Sequence, residues 1–311
     1  MDETMGGMRN DAPTDAREGA RDAARGDDWT NARADAPMTD GDMRRSLAYL
    51  IGCLEKEVPE YAGTPVPDSA EQSFLLYRAL CNVRMPHGET GHTLPERFYR
   101  EQSRVLRAIT AAKGIADPMA LAAAPLDPRL ALWQGDITAL AADAIVNAAN
   151  SGMMGCFAPL HMCIDNAIHT MAGVELREEC YRIMKARGEG GALAEEPTGR
   201  ALLTGGYNLP ARHVIHTVGP IVFGELTDEH RRLLASCYRS VLDCAAGEGL
   251  GTVAFCCIST GVFRFPKREA ARIAVDTVRA WLDGHAGSSV RRVVFDVFGD
   301  DDREIYRQAL A

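Results

Sequence analysis

From Leu130 to the C-terminus, short apolar runs alternate with longer stretches of helical period. The runs fall near 130–133, 144–147, 201–204, 213–217, 252–257 and 292–298, each about the length of one strand. The helical patterns between them fall near 162–186, 227–246, 266–283 and 301–309. This alternation predicts an α/β fold, a mixed and largely parallel sheet flanked by helices. In such sheets ligands bind at the carboxyl ends of the strands, where the loops converge. The polar motifs of this region follow apolar runs, which places them on that edge.

The region upstream reads differently. Residues 1–41 are rich in Asp, Arg, Ala and Gly, with only Trp29 and a few Met as large apolar groups. Such a segment buries too little surface to offset its ordering entropy, so a disordered tail is expected. Residues 42–115 form a helical extension of three amphipathic helices. Leu47, Leu50, Ile51, Leu54 and Val58 make the first apolar stripe, which Pro59 ends. The second helix is capped by Asp68 or Ser69 and carries Phe74, Tyr77 and Leu80. The third opens with a Thr93/Glu96 capping box, carries Phe98, Val105, Leu106 and Ile109, and stops at Gly114. Covering apolar surface is the expected role of these helices. The Pro- and Ala-rich stretch 116–129 reads as a linker, and 130–311 as the α/β domain.

The net charge of −9 argues against general binding to nucleic acid or to anionic membranes, both of which call for a basic surface. The sequence lacks an apolar run of transmembrane length and a secretory signal. Nine cysteines without disulfide-scaffold spacing suggest reduced thiols and a cytoplasmic setting.

The densest chemistry lies between Gly135 and Gly173. Cys156, His161 and Cys163 form a C-x4-H-x-C run stiffened by Pro159. Thiolate and imidazole are donors that Zn2+ prefers, and three protein ligands with an open fourth position describe a catalytic zinc. Taken alone, these residues fit a buried loop with small apolar cysteines about as well. Context decides.

The stretches GDIT (135–138) and DAIVNAAN (143–150) resemble the opening of a macrodomain, the ADP-ribose-binding α/β module. GCFAPLHMCIDNAIHTMAG (155–173) resembles the zinc-dependent branch, bacterial protein-ADP-ribose hydrolases, in which this run replaces a glycine-rich loop. The likeness continues through TGGYNLPARHVIHTVGP (204–220) and CCISTGVFRFPKREAARIAV (256–275). It implies one Zn2+ per chain on Cys156, His161 and Cys163. Asp136 would accept a hydrogen bond from the adenine amino group, with Ile137 lining the same pocket. Asn150 would contact the distal ribose, with Asn147 beside it and bracing the loop. Ser259, Thr260, Gly261 and Val262 would cradle the diphosphate, with Phe263 near the distal ribose, and Phe298 would stack on adenine. Asp165 is the acidic candidate near the distal ribose, and with Asn150 completes the catalytic set. His169 shares a helix face with Asp165, and His213 and His216 lie in a strand, so these three read as packing or hydrogen-bonding residues.

The reaction the resemblance implies is hydrolysis of mono-ADP-ribose, ester-linked to a protein side chain. The substrate would be a mono-ADP-ribosylated protein, the product ADP-ribose, and a cognate ADP-ribosyltransferase a partner. Two alternatives use the same pocket: a reader module that binds ADP-ribose without turnover, and an O-acetyl-ADP-ribose deacetylase.

Overall fold

The computed structural model describes residues 38–311. Most of the tail expected over 1–41 lies outside the described residues, but its last residues belong to the first helix, α1 (Asp40–Leu54). Thr39 sets that start. Its hydroxyl accepts from the Asp42 N–H at 3.1 Å, and the Asp42 carboxylate accepts from the Thr39 N–H at 3.3 Å. A cap of this kind contributes about 1 kcal/mol. Leu47, Leu50, Ile51 and Leu54 of α1 are fully buried, each burial contributing roughly 2 kcal/mol. The helix ends at Leu54, ahead of Pro59, which opens a 3-10 turn instead.

Ser69 caps α2 (Ala70–Val83), and a single helical turn follows at His87–Thr90. The third long helix, α3 (Glu96–Lys113), runs to Gly114 but lacks the capping box anticipated at Thr93 and Glu96. Pro95 is its N-cap, which makes Glu96 the first helical residue, too early to reach back to Thr93.

Six strands form one sheet: β1 (Leu130–Gln134), β2 (Ala144–Ala149), β3 (Ala201–Gly205), β4 (His213–Val218), β5 (Thr252–Phe255) and β6 (Arg292–Val297). Their order is β1-β6-β5-β2-β4-β3, with every pairing parallel except β3 with β4. The sheet is thus mixed and mostly parallel, as the alternation predicts. It is accompanied by α4 (Ile164–Ala172), α5 (Val174–Arg187), α6 (Asp228–Gly247), α7 (Lys267–Gly284) and α8 (Asp300–Ala309). The single helix expected over 162–186 is two. Gly173 separates them with a φ of +97°, and a Cβ there would stand 2.6 Å from Gln102 and 2.8 Å from Asn208.

One continuous apolar cluster runs from Leu47 of the extension to Val294 of the sheet, so the two share a core. Polar contacts fasten the seam. Arg84 pairs with Glu57 and Glu178, each at 2.6 Å. Gln102 accepts from the Val174 N–H at the start of α5 and donates to Glu175 at 2.7 Å. The 116–129 stretch is also tied down. Ala116 bridges to Leu140, and Arg292 donates to the carbonyls of Pro118, Leu121 and Pro128. All nine cysteines are free, and no helix among the described residues is long and apolar enough to cross a membrane.

Burial pushes the Glu175 carboxyl up to about 7, although the Gln102 hydrogen bond opposes this. The carboxyl therefore ionises more readily in the unfolded chain, and the folded state loses stability as pH rises from about 4.5 to about 7. Because Glu175 is partly accessible, the effect is roughly 1–3 kcal/mol. Urea denaturation of Glu175→Gln should therefore show the variant gaining on the parent protein across this window. A difference that does not vary with pH would contradict the assignment.

Candidate functional site

Because β1, β6, β5, β2 and β4 run parallel, their carboxyl ends lie along one edge in that order. Asp136 follows β1, Phe298 follows β6, the Ser259–Phe265 loop follows β5, and Asn150 with the Cys156–Cys163 loop follows β2. Neighbouring strands are ~4.8 Å apart, so these features are spread over ~14 Å from β1 to β2.

At the β1 end Asp136 caps the 3-10 turn Ile137–Ala139. Its Oδ1 accepts from the Thr138 N–H at 3.0 Å and from the Thr138 hydroxyl at 2.6 Å. Its Oδ2 accepts from Lys113 Nζ at 2.7 Å. Burial alone would raise this carboxyl, but Lys113 and Thr138 outweigh it and hold the group below its usual range, so it stays an anion. Ile137 is buried beneath it, and Phe298 is 78% exposed, an aromatic face open to a partner.

The loop after β5 is held in an uncommon shape. Ser259 and Arg264 have φ values of +65° and +58°, conformations that cost non-glycine residues of order 1 kcal/mol each. Phe265 N–H donates to the Ser259 carbonyl at 2.9 Å, and Thr260 Oγ1 donates to the Cys257 carbonyl at 3.1 Å. The Val222 N–H donates to the Phe263 carbonyl at 2.9 Å and ties the loop to the segment after β4. Gly219 permits this approach, since a Cβ there would lie 2.0 Å from Ser259 Oγ. Ser259 Oγ is buried without a partner, while Gly261 and Val262 face open space. Pro266 is the N-cap of α7 and brings no side-chain cap.

Beyond β2, Asn150 is exposed, but its polar atoms hold its own loop. Its Oδ1 accepts from the Gly152 N–H at 3.0 Å and its Nδ2 donates to the Gly155 carbonyl at 3.2 Å. Cys156 Sγ and His161 Nδ1 are 3.6 Å apart, and with Cys163 Sγ the three donors lie within 4.8 Å of one another. Tetrahedral zinc with bonds of about 2.3 Å to sulfur and 2.0–2.1 Å to nitrogen separates its ligands by about 3.5–3.8 Å, so this donor set fits the ion. Cys163 also caps α4, accepting from the Asn166 N–H at 3.4 Å, where the helix dipole favours a thiolate. Burial nonetheless pushes its thiol up to about 11, so cation binding at this loop would release a proton.

Asp165 and Asn147 are both buried. Asp165 is buried and accepts from Asn147 Nδ2 at 2.7 Å, and the same amide group reaches His216 Nδ1 at 3.0 Å. Asn147 and His216 are register partners on β2 and β4, which explains their contact. His216 Nε2 then meets Thr204 Oγ1 at 3.0 Å, and His169 Nε2 lies 3.5 Å from Asp165. Asp165, the acid expected near the distal ribose, is thus buried and held by Asn147 at the start of the helix that follows the metal-type loop. Burial pushes it up to about 6, against the Asn147 hydrogen bond. His169 and His216 are buried and lie with Cys180 close enough for their donor atoms to fall within 4.8 Å of one another, and burial keeps both histidines neutral at pH 7.

The macro domain family profile matches residues 146–274. A protein-ADP-ribose hydrolase of Treponema medium is 46% identical over 267 residues, covering 85% of this chain and 97% of that protein. The chain belongs to the macro domain family. A protein-ADP-ribose hydrolase of Staphylococcus aureus (strain MSSA476) is 42% identical over 270 residues, covering 85% of this chain and 94% of its own. The Trypanosoma brucei macrodomain in complex with ADP-ribose superposes with a TM-score of 0.53 at 32% identity, over 75% of this chain and 95% of that one. The aligned stretches of the two hydrolases are longer than residues 130–311, so the likeness takes in part of the extension as well as the macro domain.

Sequence reading missed two groups at the Asp136 end of the macro domain. Lys113 comes from α3 of the extension, and only the fold brings it to Asp136. Asp296 is a buried carboxyl in β6 with an unpartnered Oδ1, pushed well above its usual range by burial and then by Asp136. An acid inside the apolar run VVFDVF was its signal.

Gly155 opens the metal-type loop with a φ of +80°, and a Cβ there would lie 2.8 Å from the His169 ring. Gly155→Ala should destabilise the protein by about 1–3 kcal/mol in urea denaturation, through backbone strain and overpacking together. A loss below about 0.5 kcal/mol would contradict this packing.

Proposed function

We propose that this macro domain protein is a cytoplasmic protein-ADP-ribose hydrolase. It removes mono-ADP-ribose from ester-linked protein side chains and holds one Zn2+ per chain on Cys156, His161 and Cys163. The observation that carries this reading is a juxtaposition. A three-donor loop of zinc-compatible spacing stands on β2, beside a strained loop with an orphaned buried hydroxyl on β5 and within ~14 Å of the Asp136 anion on β1. The names of the Treponema and Staphylococcus relatives support the reaction, and the ADP-ribose held by the trypanosomal macrodomain supports the ligand. The free cysteines suit a reducing compartment.

Each feature then has a task. The Asp136 carboxylate accepts from the adenine amino group, and guanine, with a carbonyl at that position, is rejected. Phe298 offers a stacking face. Ser259 Oγ gains the partner it lacks from a phosphate oxygen, and Gly261, with open space around it, lets the diphosphate approach closely. Asn150 fixes the turn that carries the donors, and the buried Asp165–Asn147–His216 chain fixes the strand and helix beneath it. When bound, zinc supplies Lewis acidity at this end of the cleft. Hydrolysis breaks the bond between the sugar and the protein side chain. Water provides the hydroxyl left on ADP-ribose and the proton taken up by the protein.

Chemistry and binding are separable at this site. Cys156→Ala should lower release of ADP-ribose from a modified protein about 100-fold or more while changing ADP-ribose affinity less than about threefold. Asp136→Ala should do the converse, weakening ADP-ribose binding by about tenfold or more through the lost charged acceptor. Parental turnover by Cys156→Ala would sink the metal assignment. Release that is absent from the parent protein despite intact binding would identify a reader module.

A further inference from the structure

Three side chains connect the extension to the metal-type loop. Arg78 of α2 donates to Asn166 Oδ1 through Nε at 2.9 Å and Nη2 at 2.7 Å, and Nη2 also donates to the His161 carbonyl at 3.0 Å. Asn82, one turn further along α2, accepts from the Leu160 N–H at 3.0 Å. Leu160 has a φ of +57°, a conformation that needs such support.

Arg177 of α5 closes the seam from the other side. Its Nη1 donates to the carbonyls of Cys81, Asn82 and Arg84 at 2.8–2.9 Å. These groups form the C-terminal end of α2, the negative pole of the helix dipole. Its Nε donates to the Met154 carbonyl at 2.7 Å, and its guanidinium carbon lies 4.2 Å from the centroid of the Phe157 ring. The buried guanidinium thus joins the end of α2 to residues on both sides of Cys156.

We propose that Arg78, Asn82 and Arg177 are positioning residues, and that α2 is the template holding Cys156, His161 and Cys163 within reach of one cation. The inference rests on the zinc reading above. The loop from Met153 to Cys163 has no regular secondary structure, includes two left-handed non-glycine residues and is largely accessible. Alone, it would lose conformational entropy on gathering three donors around an ion. Fastened to a helix at Leu160 and His161 and to a buried arginine at Met154, it is organised before the ion arrives. The extension is therefore part of the site and more than a cover for apolar surface.

The test uses the full chain with Arg78→Gln, Arg78→Lys and Asn82→Ala. Arg104→Gln serves as control, since Arg104 is exposed and pairs with Glu101 within α3. Zinc affinity is measured by competition with a chromophoric chelator, and donor geometry by the thiolate charge-transfer bands of the cobalt-substituted protein. Hydrogen exchange of residues 153–166 is followed in metal-free protein. Arg78→Gln and Asn82→Ala should weaken zinc binding by about 10- to 100-fold, alter the cobalt bands and speed exchange in the loop, while the control matches the parent protein. Arg78→Lys should fall between, because it keeps the charge and loses the fork. Parental zinc affinity, or parental loop exchange, in both Arg78→Gln and Asn82→Ala would overturn the proposal. If the parent protein binds no zinc, the zinc reading fails by itself, and loop exchange alone decides whether α2 positions the loop.

Discussion

Parallel pairing of β2 with β5 on one side and β4 on the other is the constraint on which the site depends. A parallel strand delivers its loop to the same edge as its neighbours, so residues more than a hundred positions apart meet without any motif joining them. Asn150 and the Cys156–Cys163 loop leave β2 beside the Ser259 loop that leaves β5, and Gly219 at the end of β4 fits against Ser259. An antiparallel β2 would send these loops to opposite edges. Only β3 runs against the rest, at the border of the sheet, where no candidate ligand residue lies.

Beneath the edge, polar groups are buried where an apolar core would be simpler. Asn147, Asp165, His169, His216 and Arg177 lie under the metal-type loop and meet one another, neighbouring carbonyls or the Thr204 hydroxyl. Buried polar groups cost stability unless satisfied, and their directional bonds specify one arrangement when they are. Here that arrangement fixes a loop whose own backbone does not. Strain at Met153, Leu160, Ser259 and Arg264 falls in the two loops expected to touch ligand, and beneath them Asn147 Oδ1 and both ring nitrogens of His169 are buried without a hydrogen-bond partner.

Much of this was legible in the sequence, and the rest failed for physical reasons. The strands were readable because fully buried parallel strands are short unbroken apolar runs. The break at Gly173 was not, because the apolar period continues through Met171 and Val174 on both sides of it. Spacing put Asp165 and His169 on one helix face but did not say whether that face points to the cleft or the interior. The donor triplet was visible because its members are close in sequence. Arg78, Asn82, Lys113 and Arg177 were not, since each acts across a gap that only folding closes, between 21 and 96 residues.

The central claim is that one zinc ion on the β2 loop is required for turnover. The most direct test follows ADP-ribose release from a mono-ADP-ribosylated protein by as-purified, chelator-stripped and zinc-restored enzyme, with metal content determined on each. Release should track zinc up to one ion per chain, be lost on stripping and return on restoration. Undiminished release by stripped enzyme would contradict it.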